Sequence, residues 1–559
     1  MNNGIPPIIQ KIFSTLKLHD DEKITDYLNP RLEQLPNPMQ MQNMAEATEL
    51  FLAEFERGSE IVIWGDYDVD GVSGTALLVN FFKALGVESH WHIPNRLTDG
   101  YGLNSAVFRD LHAARLAGKP FLLITVDCGI ANYREVAEIM EMGGKVIVTD
   151  HHQLPVSPLP SCVVLNPSQE DCGFHEEKLA GVGVAFYFAA ALRMVMEKRG
   201  FFKREAKPNM KDYLGFVALG TVADLVELTG TNRILVRAGM ETLTDSAVVG
   251  LQALIENAGL ARRALTTEDI SFLLAPRINA AGRLGRAEVA AHLLTSDNIV
   301  AAAKLARKLE DFNGKRKSLC EENLEKALHI LDEVEMRKRR SIVVVGEFHL
   351  GIIGIVASRL VELHGKPAIV FGYAGEDRDR VKGSGRSVPG IDLVECLHES
   401  RAHIAQYGGH AMAAGLSVEM DKMTGFTETF ERAVELRQLE ALHYQAAGPM
   451  LVECNVDEVM EKITLEFLQR MEPFGPENER PVFVDPSASV LTCRTIGANR
   501  QHLQLTLRGK YANYRAVGFG LGRKKKEIES QPTRKIVFTP MINRYQGTTD
   551  WQLRITDIS

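Results

Sequence analysis

A chain of 559 residues, with 72 acidic against 64 basic side chains and a formal charge of -8, is too long for one ordinary core and points to three or four domains. Its seven cysteines (Cys128, Cys162, Cys172, Cys320, Cys396, Cys454, Cys493) are scattered without a Cys-x-x-Cys, which excludes a zinc ribbon and predicts a reducing, cytoplasmic setting. The net charge does not exclude nucleic acid: an acidic metal centre would pull the total negative while the basic runs at 315–317, 337–340 and 523–526 still gripped phosphates.

Residues 1–12 carry no basic stretch followed by an apolar run, so no signal peptide is predicted. Residues 1–50 read as a proline-dotted lead-in without catalytic content, and an amphipathic helix is expected over 44–57. From residue 61 strands and helices alternate, which predicts an α/β fold with a parallel sheet covered on both faces. The apolar run Ile61-Val62-Ile63-Trp64 leads into Asp66-Tyr67-Asp68-Val69-Asp70-Gly71. In an extended segment these three carboxylates project to one side. At an effective dielectric of about 20, two of them about 4 Å apart repel by roughly 4 kcal/mol, so the cluster asks for a cation. A helix is expected over 72–85, and capping it would occupy one aspartate of the three. An EF-hand is excluded, because the twelfth position counted from Asp66 is Leu77 instead of the bidentate glutamate.

Two later strands repeat the pattern. Residues 121–126 end in Asp127-Cys128-Gly129, and residues 146–149 end in Asp150-His151-His152. Open α/β sheets bind ligands at the carboxyl ends of their strands, so these groups should converge on one crevice. The apolar stretch 181–196 is interrupted by Arg193 and too short for a bilayer, so a buried helix is expected and no membrane association. Within it Gly181-Val182-Gly183 lacks the third glycine of a dinucleotide fingerprint and reads as helix packing. A helix over 214–223 delivers Asp224. Carboxylates with one or two imidazoles suit Mn²⁺ or Mg²⁺, and two such ions about 3.5 to 4 Å apart suit displacement at phosphorus. No Gly-x-x-x-x-Gly-Lys-Ser/Thr is present, so P-loop ATP hydrolysis is not supported.

A long charged connecting helix is expected over 297–336, with Leu305, Leu309, Leu324, Leu328 and Leu331 as its apolar points. A second α/β unit opens at 341 and contains Lys382-Gly383-Ser384-Gly385-Arg386, whose donors could meet a phosphate; taken alone it reads better as a basic, mobile hairpin turn. Short β-like runs at 482–484, 503–507, 514–519, 535–539 and 551–555 predict a small OB-like barrel. Such barrels bind single strands through a basic groove and stacking aromatics. Tyr511, Tyr514, Phe519, Tyr545 and Trp551 are candidates, with a core role as the alternative. The expected domains are 1–50, 51–296, 297–340, 341–447 and 448–559.

In order along the chain, residues 65–71, 126–129, Asp150-His151-His152 and Gly220-Thr221-Val222-Ala223-Asp224 resemble the four motifs of the DHH phosphoesterase superfamily, in particular its single-strand-specific 5′-to-3′ exonucleases. The likeness extends through Ile93-Pro94-Asn95-Arg96, Gly100-Tyr101-Gly102, 179–183 and 275–283. It continues in 351–359 and 408–415, similar to the DHHA1 partner domain, and in 471–475 and 543–547, similar to the terminal domain. Where the superfamily often carries a histidine, this chain has Trp64, and residues 477–480 depart from the usual run.

The resemblance implies two ions, Mn²⁺ or Mg²⁺. Asp127 would bridge them, Asp68 with Asp66 nearby would serve the first, and Asp70, His151 and Asp224 would complete the second. His152 would sit against the scissile phosphate and Asp150 would orient its neighbours. Arg96, Arg283, Ser384, Arg386 and His410 would bind substrate, with Arg96, Ser384 and Arg386 forming a 5′-phosphate pocket. The implied activity is metal-dependent hydrolysis of single-stranded DNA from its 5′ end to 5′ mononucleotides, in DNA repair and recombination, with a helicase and a single-strand-binding protein as partners. The alternatives are a phosphodiesterase for short oligonucleotides or cyclic dinucleotides, and a catalytically silent nucleic-acid scaffold.

Overall fold

Apolar runs buried on both faces build four of the five strands of the first sheet of the computed structural model, which describes every residue except 1–3, 117, 156–157, 175–176, 204–205, 332–336, 376–377, 442–449, 498 and 546–547. Its strands are β1 (Glu60–Trp64), β2 (Ser89–His92), β3 (Phe121–Val126), β4 (Lys145–Thr149) and β5 (Val163–Leu165). All pair in parallel, in the order β2-β1-β3-β4-β5. The order reverses between β1 and β3. Such a switch point leaves a crevice at the strand ends, where open α/β sheets bind ligands.

Six helices carry or flank the residues of interest: α1 (Val69–Ala84), α2 (Gly181–Lys198), α3 (Leu214–Ala223), α4 (Ala275–Arg283), α5 (Ile299–Ile330) and α6 (Ile353–His364). The expectation of three aspartates on one extended segment is corrected here. The helix expected from residue 72 begins at Val69, because Asp68 Oδ1 accepts the N–H groups of Asp70 and Gly71 at 2.9 and 3.1 Å and so caps it. Asp66 precedes the cap, and Asp70 lies in the first helical turn. Gly74 lets α1 approach its neighbours: a Cβ there would lie 2.6 Å from Val126 Cγ1 and 3.2 Å from Val182 Cα.

Helix α5 is 32 residues long, about 48 Å at 1.5 Å per residue. It buries Ala302, Ala306, Leu309, Cys320 and Ala327. Leu328, expected among its apolar points, is exposed, one position past the buried stripe. The expected continuation over 332–336 lies outside the described residues. The second sheet has the order β6-β7-β8-β10-β9, comprising β6 (Ile342–Gly346), β7 (Ala368–Tyr373), β8 (Arg380–Arg386), β9 (Gln406–His410) and β10 (Ala413–Glu419). Only β6 and β7 are parallel, and the other pairings are antiparallel. With the helices around it this is the second α/β domain.

The third sheet comprises β11 (Leu451–Glu453), β12 (Val482–Ile496), β13 (His502–Arg508), β14 (Asn513–Gly518), β15 (Thr533–Tyr545) and β16 (Thr548–Ile558). Pairing runs β12-β13-β14-β16-β15 and returns from β15 to β12, the ladder of an OB-like fold. Tyr511 and Phe519 are exposed, whereas Tyr514 and Trp551 pack partly buried against the core. The side chain of Tyr545 and residues 546–547 of the expected terminal motif lie outside the described residues.

By contact the chain forms two units. One is Met1–Leu35 with Glu227–Ala238 and Ala447–Ser559; the other is Pro36–Val226 with Gly239–Ala446. The first unit places Ile8, Ile9, Ile12 and Phe13 of the lead-in in one core with Leu503, Leu505, Phe538 and Leu553 of the terminal strands. The second holds the first two sheets, α5 and every candidate metal-binding and phosphate-binding residue, while the candidate stacking aromatics lie in the first.

Candidate active site

Four of the acidic groups stand where a strand or helix ends, while Asp68 and Asp70 lie at the start of α1. Asp66 follows β1, Asp127 follows β3, Asp150 follows β4 and Asp224 follows α3. Asp127 takes φ 61°, a left-handed conformation that costs a non-glycine residue of order 1 to 3 kcal/mol and is found where surrounding structure enforces it. Its N–H donates to Thr149 O at 3.0 Å, and its own carbonyl accepts the Tyr101 hydroxyl at 3.2 Å.

Donor atoms of three sets each lie within 4.8 Å of one another: Asp66, Asp68 and Asp127; Asp70, His151 and Asp224; and Asp127, His151 and His152. His151 Nε2 is 3.1 Å from Asp127 Oδ1, 3.5 Å from Asp224 Oδ2 and 3.9 Å from Asp70 Oδ2. The closest of these pairs is not aligned as a hydrogen bond, and among the described residues His151 Nε2, Asp127 Oδ1 and Asp66 Oδ1 are buried with no hydrogen-bond partner. Buried acceptors without donors are costly. Oxygen and imidazole ligands converging in this way fit hard or borderline divalent cations.

The electrostatics fit a site that binds a cation. Burial, then neighbouring aspartates, raise the pKa values of Asp66, Asp70 and Asp127. Asp224 is pushed up to about 7 by burial and by Asp68. Asp70 gains partial relief, because its carboxylate accepts the N–H groups of Gly181 at 2.6 Å and Val182 at 2.9 Å at the positive end of α2. The reading of Gly181-Val182-Gly183 as helix packing is therefore corrected for its first two members: their amides hold a site carboxylate.

Burial lowers His151 to about 4, with the charge of His152 adding to the effect. Burial also opposes charge on His152, but its hydrogen bond to Asp150 outweighs this and pushes it up to about 9. Asp150 Oδ1 lies 2.7 Å from His152 Nδ1 and accepts the N–H groups of His151 and His152 at 2.7 and 3.1 Å. Its Oδ2 accepts Ile130 N–H at 2.9 Å. With both oxygens so engaged, Asp150 is placed to orient the two histidines. Sequence reasoning assigned no role to Tyr101. Its hydroxyl lies 3.2 Å from His152 Nδ1 and 3.3 Å from Nε2, and its ring stands edge-on to His152 with centroids 5.7 Å apart. The glycines flanking it in sequence were the one available signal.

A cluster of guanidiniums stands beside the acidic centre. Arg96 lies over the Tyr67 ring at 5.0 Å. Arg283, at the end of α4, is pushed down to about 9 by burial and by the charges of Arg96, Arg386 and Arg316. Arg386 is lowered by burial and by Arg96. Arg386 reaches Ser384 Oγ at 3.1 Å and Gly385 O at 2.7 Å. A Cβ on Gly354, in the first turn of α6, would lie 2.9 Å from both Arg386 Nη2 and Ser384 Oγ. Like charges held together this way are relieved by an anion such as phosphate. His410 is exposed on β9, opposite Ala413 of β10, and its charge bears on His151.

Family models match three stretches: the DHH family N-terminal domain over 60–221, the DHHA1 domain over 340–436 and the RecJ OB domain over 452–557. The single-stranded-DNA-specific exonuclease RecJ of Haemophilus influenzae is 32% identical over 563 residues, covering 98% of this chain and 95% of that protein. RecJ of Escherichia coli is 36% identical over 444 residues, covering 77% of this chain and 75% of that one. The crystal structure of Thermus thermophilus RecJ in complex with Mn²⁺ is similar with a TM-score of 0.80 at 30% identity, covering 99% of this chain and 76% of that one.

Proposed function

This chain belongs to the RecJ family of single-stranded-DNA-specific exonucleases, and from that membership we propose that it removes nucleotides from the 5′ end of single-stranded DNA in a reaction requiring Mn²⁺ or Mg²⁺. The observation that carries this reading is the convergence of buried, donor-less atoms on Asp66, Asp127 and His151 beside the mutually repelling Arg96, Arg283 and Arg386. A cation-binding acidic centre next to an anion-binding basic one suits a phosphodiester with a free terminal phosphate.

In this reading Asp66, Asp68 and Asp127 would hold one ion, and Asp70, His151 and Asp224, together with Asp127, would hold the second. When bound, such ions activate water and offset charge at the phosphoryl group. Asp150 keeps the Nδ1 side of His152 occupied, so the charged ring can donate from Nε2 to a phosphate oxygen, and Tyr101 steadies that ring. Arg96, Arg283 and Arg386 with Ser384 hold the 5′ phosphate, and His410 lines the same cleft. A held 5′ phosphate sets the polarity, because the bond cleaved is the one a nucleotide's length from it. The domain spans 51–296, 297–340, 341–447 and 448–559 divide these tasks into catalysis, connection, end recognition and strand binding. A cytoplasmic role in DNA repair and recombination, with a helicase and a single-strand-binding protein supplying the strand, completes the proposal.

The test is degradation of 5′- and 3′-labelled single-stranded DNA with Mn²⁺, using wild type and Asp127→Ala. The expected result is immediate release of mononucleotide from the 5′ label, abolished in the variant. Intact long strands with cleaved dinucleotides would replace this reading with a small-substrate phosphodiesterase, and no cleavage of either would leave a scaffold.

A further inference from the structure

Strand β2 is the edge of the first sheet and, among the described residues, pairs only with β1. Beside it lies a cavity of about 440 Å³ whose walls include Trp91 and His92 of β2, Asp99 of the turn after it, Arg115, and His292 of the helix Glu288–Leu294. That volume falls within the range of small-molecule sites, about 300 to 1,000 Å³. None of these five side chains belongs to the metal or phosphate machinery.

The lining selects among ligand classes. Trp91 and His292 meet edge to face, with ring centroids 4.7 Å apart at 70°, which presents aromatic surface to an occupant. Among the described residues His92 Nε2 is buried without a hydrogen-bond partner. Arg115 would repel a simple cation, and Asp99 and Glu288 a simple anion. A planar heterocycle carrying both donors and acceptors on its edge satisfies both, and its faces suit the rings. In a protein that handles nucleotides, which rests on the function proposed above, that heterocycle is a nucleobase.

We infer that the cavity beside β2 is a nucleobase site, taking the base of a released mononucleotide or of a nucleotide within the strand. Asp99 accepts Asn95 N–H at 2.8 Å and the Thr98 hydroxyl at 2.6 Å, and so ties the turn that carries Arg96. An occupant touching Asp99 therefore bears on a residue of the 5′-phosphate cluster.

The experiment follows tryptophan fluorescence of the full chain, without added divalent ion, during titration with deoxyadenosine, which has no phosphate for the arginines. The chain has three tryptophans; Trp64 is fully buried and Trp551 lies in the terminal strands. Saturable quenching is expected, with its amplitude lost in Trp91→Phe and its affinity weakened about three- to tenfold in His292→Ala, the scale of one aromatic contact. Displacement by dAMP would identify a released mononucleotide as the source, and displacement only by an oligodeoxyadenylate the strand. Non-saturating quenching, saturable quenching that survives Trp91→Phe, or displacement by inorganic phosphate would overturn the inference. The two readings fail separately. Strands degraded without saturable quenching sink the cavity alone, and saturable quenching with uncleaved strands sinks the nuclease alone.

Discussion

A Cβ placed on Gly181 would lie 2.6 Å from the Cβ of Asp127, closer than any real side chain tolerates, while the Gly181 N–H donates to Asp70 Oδ2 at 2.6 Å. One residue without a side chain thus lets α2 bring its amides to one carboxylate while pressed against another. The backbone of Gly181 is not left-handed, so alanine is tolerable there in every respect except that contact. Gly181→Ala should displace Asp127 by a sizeable fraction of an ångström, and misplacement of about 1 Å can cost on the order of a hundredfold in rate. The expected outcome is a fall of at least about tenfold in Mn²⁺-dependent release of the 5′ nucleotide. Gly183→Ala is the control, because its Cβ would meet Leu179 Cβ at 3.3 Å, a contact that small adjustments absorb. Equal rates for the two variants would contradict the role given to Gly181.

The crowded carboxylates make a signed prediction about pH. Asp224, with a folded-state pKa of about 7 against about 3.9 unfolded, keeps a proton in the native state that the unfolded chain has already lost. Stability of the cation-free protein therefore falls as pH rises toward and through 7. His151, held down to about 4, acts in the opposite sense but only below its unfolded value of about 6.5. His152, raised to about 9, acts in the same sense as Asp224 above 6.5. Between pH about 6.5 and about 8 the slope is thus negative, from Asp224 up to about 7 and from His152 throughout, and a divalent cation, which favours the ionised carboxylates, removes the Asp224 share. The gain in Tm on adding Mn²⁺ should be larger at the upper pH, and Asp224→Asn should shrink the difference. An Mn²⁺ effect identical at both pH values would refute the assignment of a cation to this cluster.

How much of this was legible in the sequence depended on how local the cause was. Asp127 and Asp150 follow apolar runs that can only be strands, so their convergence at the sheet's carboxyl edge follows from chain pattern. Asp224 follows an apolar helix for the same reason, and the bounds of α3 match those expected. The geometry of Asp66, Asp68 and Asp70 was misjudged because two outcomes were open to the same residues, an extended segment or a capped helix, and the cap on Asp68 decided it. Tyr101 was not assigned because nothing adjacent to it reports a hydroxyl hydrogen-bonded to the backbone of Asp127. The lead-in, set apart as residues 1–50 without catalytic content, packs on the terminal strands. Its Lys11 Nζ donates to Glu453 O at 3.3 Å, a pairing across most of the chain that no local pattern encodes.

That distant pairing centres on Arg233 in the first unit, and its removal provides a stability prediction independent of the active site. The guanidinium is nearly fully buried and lies over the Tyr27 ring at 4.1 Å. It donates to Tyr27 O at 2.8 Å, Glu472 O at 3.2 Å and Pro473 O at 3.4 Å. The Tyr27 hydroxyl in turn donates to Asn478 Oδ1 at 2.8 Å, and Asn478 Nδ2 donates to Pro473 O at 2.6 Å. Pro473 O keeps that second donor, and Glu472 O keeps Arg237 at 3.3 Å, so Arg233→Ala leaves Tyr27 O as the carbonyl most exposed to loss. An unsatisfied buried acceptor costs about 1 to 3 kcal/mol, and the lost cation–π contact adds about 0.5 to 2 kcal/mol. Denaturant unfolding should therefore show the unit destabilised by about 1.5 to 5 kcal/mol. Arg233→Lys should recover less than half of that, because an ammonium cannot reproduce the planar fork that spans three carbonyls. If lysine restores full stability, the charge matters and the fork geometry does not; if alanine costs less than about 0.5 kcal/mol, within the usual range for a surface substitution, the network is incidental to holding the N-terminal helices on the terminal strands.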